Sequence, residues 1–534
     1  MFFDLNEYSG ASVTAEIAVV GTGACGMVMA RRLLGEGIDV AFLETGGHER
    51  SAPAEALNHA ELAGDLSVWI GSRSRFLGGS TNCWAGHASP FDPVDSTRDW
   101  VPEGRWPLDL SILESWAVDL HDQLRLGPVD FSAEFWANRL ARVRNGLLFE
   151  GNDRITTKMI QRTNVGHMGE LAAPDIERSP HLSVYLNAQV LELQVTRDGS
   201  QVIGLDLVSL DGSRRVAVRA KKYVLAAGPE NARLLLASRS RDPRGVGNEY
   251  DQVGRYWLAH HSTRRGRLEP SPDLDWSLYE LALDWQPGDR RVFGSLRISD
   301  AVQAEEKLLN AAIMLERYRP TRGFNNRNAL ISVVKGLAGR TTGALEPQRL
   351  SAGLLAGAAG DITKAIGRSA TEVQRRRRST PRAFVRNWCE QMPHPENRIE
   401  LGNSVDRFGV PVLRVVSNLQ PEDRRTMRRA FEIFAEEFEA AGYGTMIDEF
   451  PRGDAWPPGS VSTAHFMGGT RMSTSPSDGV VDTDCRVHGL ENLYVAGGSV
   501  FPTAGASMVS YTAMLLTARL ADHLSGAGGS SRTG

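Results

Sequence analysis

The chain has 534 residues, of which 41% are hydrophobic and 23% charged, and a formal net charge of -4. That length suits two or three folded units of ordinary globular composition, and the charge gives no basic surplus that would call for nucleic acid. No basic segment precedes a long apolar one at the start, and no stretch approaches about 18 uninterrupted apolar residues, so the expectation is a cytoplasmic chain without an integral membrane segment.

The first strong pattern is EIAVVGTGACGMVMARRLLGEGIDVAFLETG. An apolar run from Ile17 to Val20, a glycine turn, a helical stretch and a second apolar run ending at Glu44 predict a β-α-β unit. Gly21 suits the tight turn, Gly23 close approach to a pyrophosphate, and Gly26 close packing of helix on strand, with Glu44 placed for ribose hydroxyls. This is a dinucleotide site whose local pattern does not choose between NAD and FAD. RSRFLGGSTNCWAGH is loop-like, and KKYVLAAGPENARLLLAS predicts a buried strand, a small-residue turn and a helix.

The arginine run Arg375 to Arg378 follows an Ala/Gly-rich segment beginning near Ala352 and is read as a solvated helix face with no assigned role. PEDRRTMRRAFEIFAEEFEAAG predicts an amphipathic helix that starts at Pro421, places Met427, Phe431, Phe434 and Phe438 on one face, and closes at Gly442. In TAHFMGGTRMS, His465 is open to three readings: proton acceptor, metal ligand or core residue. The metal reading is weak, because no His, Cys or carboxylate stands at ligand spacing. His260, His261 and His488 read as core histidines. Near the C-terminus, Leu493 to Ala496 predict a buried strand, followed by glycines, a proline turn and a helix to about Leu524, whose N-terminus suits negative charge. The four cysteines are far apart, which suggests neither a disulfide framework nor structural zinc, and there is no C-x-x-C-H for covalent haem.

Taken in order, GTGACG with Glu44, GGSTNCWAG, YVLAAGPENARLLL, EQMPHPENRIEL, HFMGGTRM and NLYVAGGSVFP resemble the glucose-methanol-choline (GMC) oxidoreductases across nearly the whole chain. These are FAD-dependent alcohol oxidases and dehydrogenases. The resemblance implies an α/β plus α+β fold, with a discontinuous Rossmann-like FAD-binding domain and a substrate-binding domain built on an antiparallel sheet and helices. The expected division is 14–110, 180–262 and 455–526 for FAD, 111–179 and 263–454 for substrate, and flexible tails at 1–13 and 527–534.

By the same resemblance, Gly21, Gly23, Gly26 and Glu44 serve the ADP half of FAD, with Val190 near the adenine. Arg75, Gly78, Gly79, Thr81, Asn82, Trp84 and Ala85 run along the pyrophosphate and flavin. Ala227 and Gly228 form the small-residue turn, and Gly497, Gly498 and Val500 lie at the pyrimidine end. Where some members carry a flavin-tethering histidine, this chain has Cys83. Non-covalent FAD is therefore expected, with Cys83 as a small buried residue and a thioether as the alternative. His87 lies close to the flavin loop without a task.

The resemblance makes His465 the general base, taking the hydroxyl proton as hydride leaves for the flavin. The Asn or His that usually follows, often as Asn-Pro, falls on Met508 and Val509, and a thioether is only a weak acceptor. Ser507 is the first replacement, with Ser510 and Tyr511 behind it. Glu390 and Gln391 either bind substrate hydroxyls or support a strand. The implied activity is oxidation of a CH–OH group of a sugar, glycoside or aminoglycoside/cyclitol-like metabolite, with oxygen or another electron acceptor. The alternatives are a non-sugar alcohol of specialised metabolism, or a flavin-binding protein of low activity.

Overall fold

The computed structural model describes residues 1–65, 72–140, 143, 146–280, 292–317, 382–451, 453, 456 and 461–526. The segment beginning near Ala352, the Arg375 to Arg378 run and the expected tail 527–534 lie outside the described residues.

The predicted β-α-β unit is strand Ser12–Val20, helix Ala24–Arg32 and strand Val40–Leu43. Ile17 to Val20 are buried on both faces, as a continuous apolar run requires in the middle of a parallel sheet covered on both sides. That sheet runs Phe2–Asp4, Leu182–Leu186, Val40–Leu43, Ser12–Val20 and Arg215–Leu225, all parallel. Arg215–Leu225 also pairs in parallel with Leu493–Val495, and antiparallel strands Val202–Ser209 and Ala188–Val195 extend the sheet. Helices Ala24–Arg32, Met168–Arg178 and Val509–Ser525 pack around the first of them.

The second sheet is antiparallel, in the order Gly444–Ile447, Arg267–Pro270, Ala383–Cys389, Ala311–Arg317, Val292–Ile298, Ile155–Arg162 and His87–Ala88. Strand Leu258–Thr263 joins it through Ala383–Cys389 and pairs on its other side with Val461–Met467. Helix Pro421–Ala440 covers this sheet with Met427, Phe431, Phe434 and Phe438, each at most 2% exposed. Its start is a reciprocal cap: the Gln420 side chain accepts from the Asp423 backbone, and the Asp423 carboxylate accepts from Gln420 N–H at 2.8 Å.

The expected division of the chain needs three corrections. Strands Leu258–Thr263 and Val461–Met467, placed with the FAD domain, belong to the antiparallel sheet, because their backbone ladders run to it and to each other. Helix Met168–Arg178, placed with the substrate domain, buries Met168, Ala172 and Ile176 in the parallel sheet's core. Strand Ala60–Ala63 pairs with Pro411–Val416, which in turn pairs with Arg398–Val405, so a small third sheet crosses the expected boundary.

Residues 1–13 are not a free tail. Phe2–Asp4 pairs with Leu182–Leu186, Phe3 stacks on Tyr185 at 5.1 Å, and Leu5 is fully buried. The backbone of Phe2–Asp4 pairs an edge of Leu182–Leu186 that would otherwise be open.

Candidate active site

A cavity of about 700 Å³ extends from the first glycine turn to the strand that carries His465. Its glycines divide by role. A Cβ on Gly21 would stand 2.8 Å from Ala226 O, and one on Gly26 would stand 2.2 Å from Gly21 O, so both positions hold backbone against backbone. A Cβ on Gly23 would meet nothing within 4 Å; Gly23 lines the cavity, and a side chain there would fill the cradle. The helix that follows has no side-chain cap hydrogen bond and no acid in its first turn, which leaves its N-terminus suited to an anion. Gly26→Ala is expected to displace the turn, lowering the fraction of protein isolated with bound flavin; the ratio of flavin to protein absorbance measures it.

Glu44 lines the cavity and also braces the turn. Its carboxylate accepts from Thr22 N–H at 3.1 Å, Thr22 Oγ1 at 2.5 Å and Gly46 N–H at 3.2 Å. A carboxylate has about four acceptor positions, so capacity for a hydroxyl remains.

The wall also contains Arg75, Gly79, Thr81, Trp84, Ala85, Val190, Ala227, Gly228, Gly497, Gly498, Met508 and Val509. Four other expected cofactor residues stand behind it. Gly26 packs as described, and Gly78, at φ +92°, lets the loop approach Gly169. Asn82 donates to Leu77 O at 3.0 Å and bonds His167 at 2.8 Å, while Val500 is fully buried.

Arg73, Glu230 and Arg233, which the sequence reading did not single out, join Arg75 in a buried cluster at the wall. Glu230 lies 2.6 Å from Arg73, 2.9 Å from Arg75 and 3.1 Å from Arg233. Burial alone would raise the Glu230 pKa, but the three guanidiniums outweigh it and hold the carboxyl well below the usual range.

His465 lines the cavity from strand Val461–Met467. The register between this strand and Leu258–Thr263 shifts between Ala259 and His261, so His260 occupies an irregularity of the kind that re-aims a side chain. There His260 Nδ1 lies 2.9 Å from His465 Nδ1, and His260 Nε2 lies 3.0 Å from Ala504 O and 2.8 Å from Gly505 O. Trp388 packs against both rings, with centroids at 5.2 Å and 5.1 Å. Burial pushes the His260 pKa down to about 4. Burial first, and the charges His260 and His87 would carry second, push His465 well below its ordinary value. Both imidazoles are therefore neutral at pH 7. His260 is a core residue by burial, as expected, but it is also bonded to the candidate base. Their separation of 205 residues left no local signal of the pairing.

Ser507 does not fill the expected companion role. It is fully buried, its hydroxyl has no partner, and it stands outside the cavity wall. Met508, in extended conformation just before the last helix, lines the cavity instead, the chain bending at Ser507 between the turn at 505–506 and Met508. Of the two reserves, Ser510 lines the cavity, whereas the Tyr511 hydroxyl is held by His121 at 2.9 Å.

Glu390 and Gln391 are also corrected as substrate ligands: neither reaches the wall. Buried Glu390 pairs with Arg98 and accepts from Asn310 N–H at 3.0 Å and Gly505 N–H at 3.1 Å. The Gln391 carbonyl accepts from Ala259 N–H at 2.9 Å. Buried polar groups are satisfied within the protein first, which makes these two supports. Cys83 is exposed at the wall rather than buried, and its thiol donates to Ser72 O at 2.9 Å. Trp388 Nε1 and Thr463 Oγ1 are buried without a hydrogen-bond partner on residues that line the cavity. Among the described residues, no group of three His, Cys, Asp or Glu could hold a metal, and no helix is long and apolar enough to cross a membrane.

Comparison with known proteins gives the same direction. A family model described as GMC oxidoreductase matches residues 393–517. The chain is 28% identical to the fructose dehydrogenase large subunit of Gluconobacter japonicus over 309 residues, 57% of this chain and 47% of that protein. The match thus spans about half the length of that relative. Paromamine 6'-oxidase of Streptomyces fradiae is 23% identical, over 92% of this chain and 87% of the relative. The solved structure of pyridoxine 4-oxidase from Mesorbium loti shares the fold, with a TM-score of 0.54 and 16% identity over 95% of this chain and 99% of that one.

Proposed function

We propose that this chain is a GMC oxidoreductase, the family whose model matches residues 393–517, and that it oxidises a CH–OH group of a sugar, glycoside or aminoglycoside-like metabolite, with His465 as proton acceptor. The observation that carries this reading is the cavity itself, which joins the Gly21–Gly23 turn to His465 in one space. The open position at Gly23 and the uncapped helix N-terminus fit the pyrophosphate of FAD. When bound, FAD supplies the acceptor for the substrate hydride.

The residues of the chain do the rest. With Nδ1 bonded to His260, the other ring nitrogen of His465, Nε2, is available for the substrate hydroxyl proton. The neutral state of His465 suits it to accept that proton. Trp388 and Thr463 line the cavity and each carries a buried polar atom without a partner, Nε1 and Oγ1, whereas Met508 is only a weak acceptor. The names of the relatives, a fructose dehydrogenase subunit and a paromamine oxidase, support the choice of a sugar-like substrate.

The same proposal includes non-covalent FAD. Although Cys83 is exposed at the wall, the neighbouring protein strips part of its hydration and raises the thiol above its ordinary pKa, which favours the protonated form, and only the thiolate is a good nucleophile. On acid precipitation the flavin is expected in the supernatant, and flavin retained by the pellet would count against this. The activity is tested by anaerobic mixing of the yellow protein with sugars, aminoglycosides and non-sugar alcohols. Bleaching by a sugar or aminoglycoside is the expected result. Bleaching by non-sugar alcohols alone would shift the substrate class, and persistent oxidised flavin across the panel would favour a flavin-binding protein of low activity. Admission of air then separates oxygen from other acceptors.

A further inference from the structure

We infer that His260 is a positioning residue that fixes the tautomer of His465, leaving the lone pair of His465 Nε2 as the base. The inference rests on the reading of His465 as proton acceptor and adds how one of its two ring nitrogens is selected. His260 Nε2 faces two carbonyl oxygens, Ala504 O at 3.0 Å and Gly505 O at 2.8 Å. Carbonyl oxygens only accept, so this nitrogen carries the hydrogen. In a neutral imidazole the other nitrogen is then bare, and His260 Nδ1 is an acceptor. Its neighbour at 2.9 Å, His465 Nδ1, must be the N–H that donates to it. The remaining nitrogen of neutral His465, Nε2, therefore has a free lone pair.

The selection is anchored away from the cavity. Glu390, fully buried and paired with Arg98, accepts from the N–H of Gly505, whose carbonyl in turn accepts from His260. Ala504 O, which shares a peptide unit with that Gly505 N–H, also accepts from His260 at 3.0 Å, so the chain of bonds runs from a buried ion pair through one peptide unit and two imidazoles. After proton transfer, His465 becomes an imidazolium whose Nδ1–H still donates to His260, so the acceptor holds in both protonation states. The proton would move from the substrate oxygen to His465 Nε2 and the hydride from the carbon bearing that oxygen to the acceptor that bound FAD would supply, which leaves a carbonyl.

The test compares two substitutions in the FAD-loaded protein, by stopped-flow reduction at saturating substrate. His260→Leu removes the acceptor at similar volume and is expected to lower the reduction rate constant by about 10- to 10³-fold, with substrate Kd changed less than about 3-fold. His260→Asn, whose Oδ1 can take the place of Nδ1, is expected to recover most of that loss. In a His465→Ala background, His260→Leu should add no further loss, because the two residues act as one unit. An unaffected rate in His260→Leu, or an equal loss in the asparagine variant, would overturn the inference.

A direct readout does not depend on activity. Histidine ¹⁵N shifts of the wild-type holoenzyme, assigned with His465→Ala, should show His465 protonated at Nδ1 and bare at Nε2. The reverse pattern overturns the inference even if His465 proves to be the base. Undiminished reduction in His465→Ala would instead remove the base reading while leaving the tautomer measurement intact.

Discussion

His465→Ala is expected to lower the rate constant of flavin reduction by about 10²- to 10⁴-fold while FAD remains bound, the range for loss of a positioned proton acceptor. FAD content should survive because the glycine turn, Glu44 and the arginine cluster lie on other elements of the cavity wall. Stopped-flow reduction under anaerobic conditions, with flavin counted in each preparation, separates the two effects. A rate within a few-fold of wild type would remove His465 from the chemistry.

The depressed pKa of His465 gives this prediction a pH signature. A base must be neutral to work, and a lowered pKa keeps it neutral to lower pH. The wild-type reduction rate should therefore stay level through pH 7 and 6, falling only well below 6.5. Stability should also change on the acid side of the profile. An unfolded histidine takes up a proton near pH 6.5, whereas His260 in the folded protein does so only near about 4. Between these values the unfolded chain binds more protons, so stability falls as the pH drops through this window.

Glu390→Ala should destabilise the folded protein by about 3 kcal/mol, at the lower end of the range for breaking a buried ion pair. The Arg98 side chain, 1% exposed, would lose its partner, and the N–H groups of Asn310 and Gly505 would lose their acceptor. Asp95 moderates the loss. Burial, followed by the carboxylates Asp92 and Glu390, pushes its pKa up to about 7, and it lies 3.8 Å from Arg98. Without Glu390 it can ionise more fully and meet part of the guanidinium charge. Urea unfolding of the holoenzyme measures the change. A raised KM with stability altered by less than about 1 kcal/mol would return Glu390 to the role of substrate ligand.

Much of the cofactor half was legible because its signals are local. Gly21, Gly23 and Gly26 follow a strand at spacings that only a strand-turn-helix satisfies, and Glu44 ends the next strand. Helix Pro421–Ala440 was equally plain, since Met427, Phe431, Phe434 and Phe438 repeat with the helical period. His465 could be singled out through the order of motifs around it.

Its surroundings could not be read in the same way. The bond to His260 depends on the register between two strands and on the irregularity at their pairing. The Glu230 cluster gathers Arg73 and Arg75 from a loop more than 150 residues earlier and Arg233 from the same helix. The placements of Ser507 and Met508 were decided by the bend of the chain just before a helix, which buries one side chain and leaves the other at the cavity. Sequence by itself determined the elements, the phosphate turn and the candidate base, because turn geometry and side-chain periodicity act between near neighbours. Tertiary structure alone decided which ring nitrogen of that base is held and which polar residues only brace the site, because strand register and burial act between residues far apart in the chain.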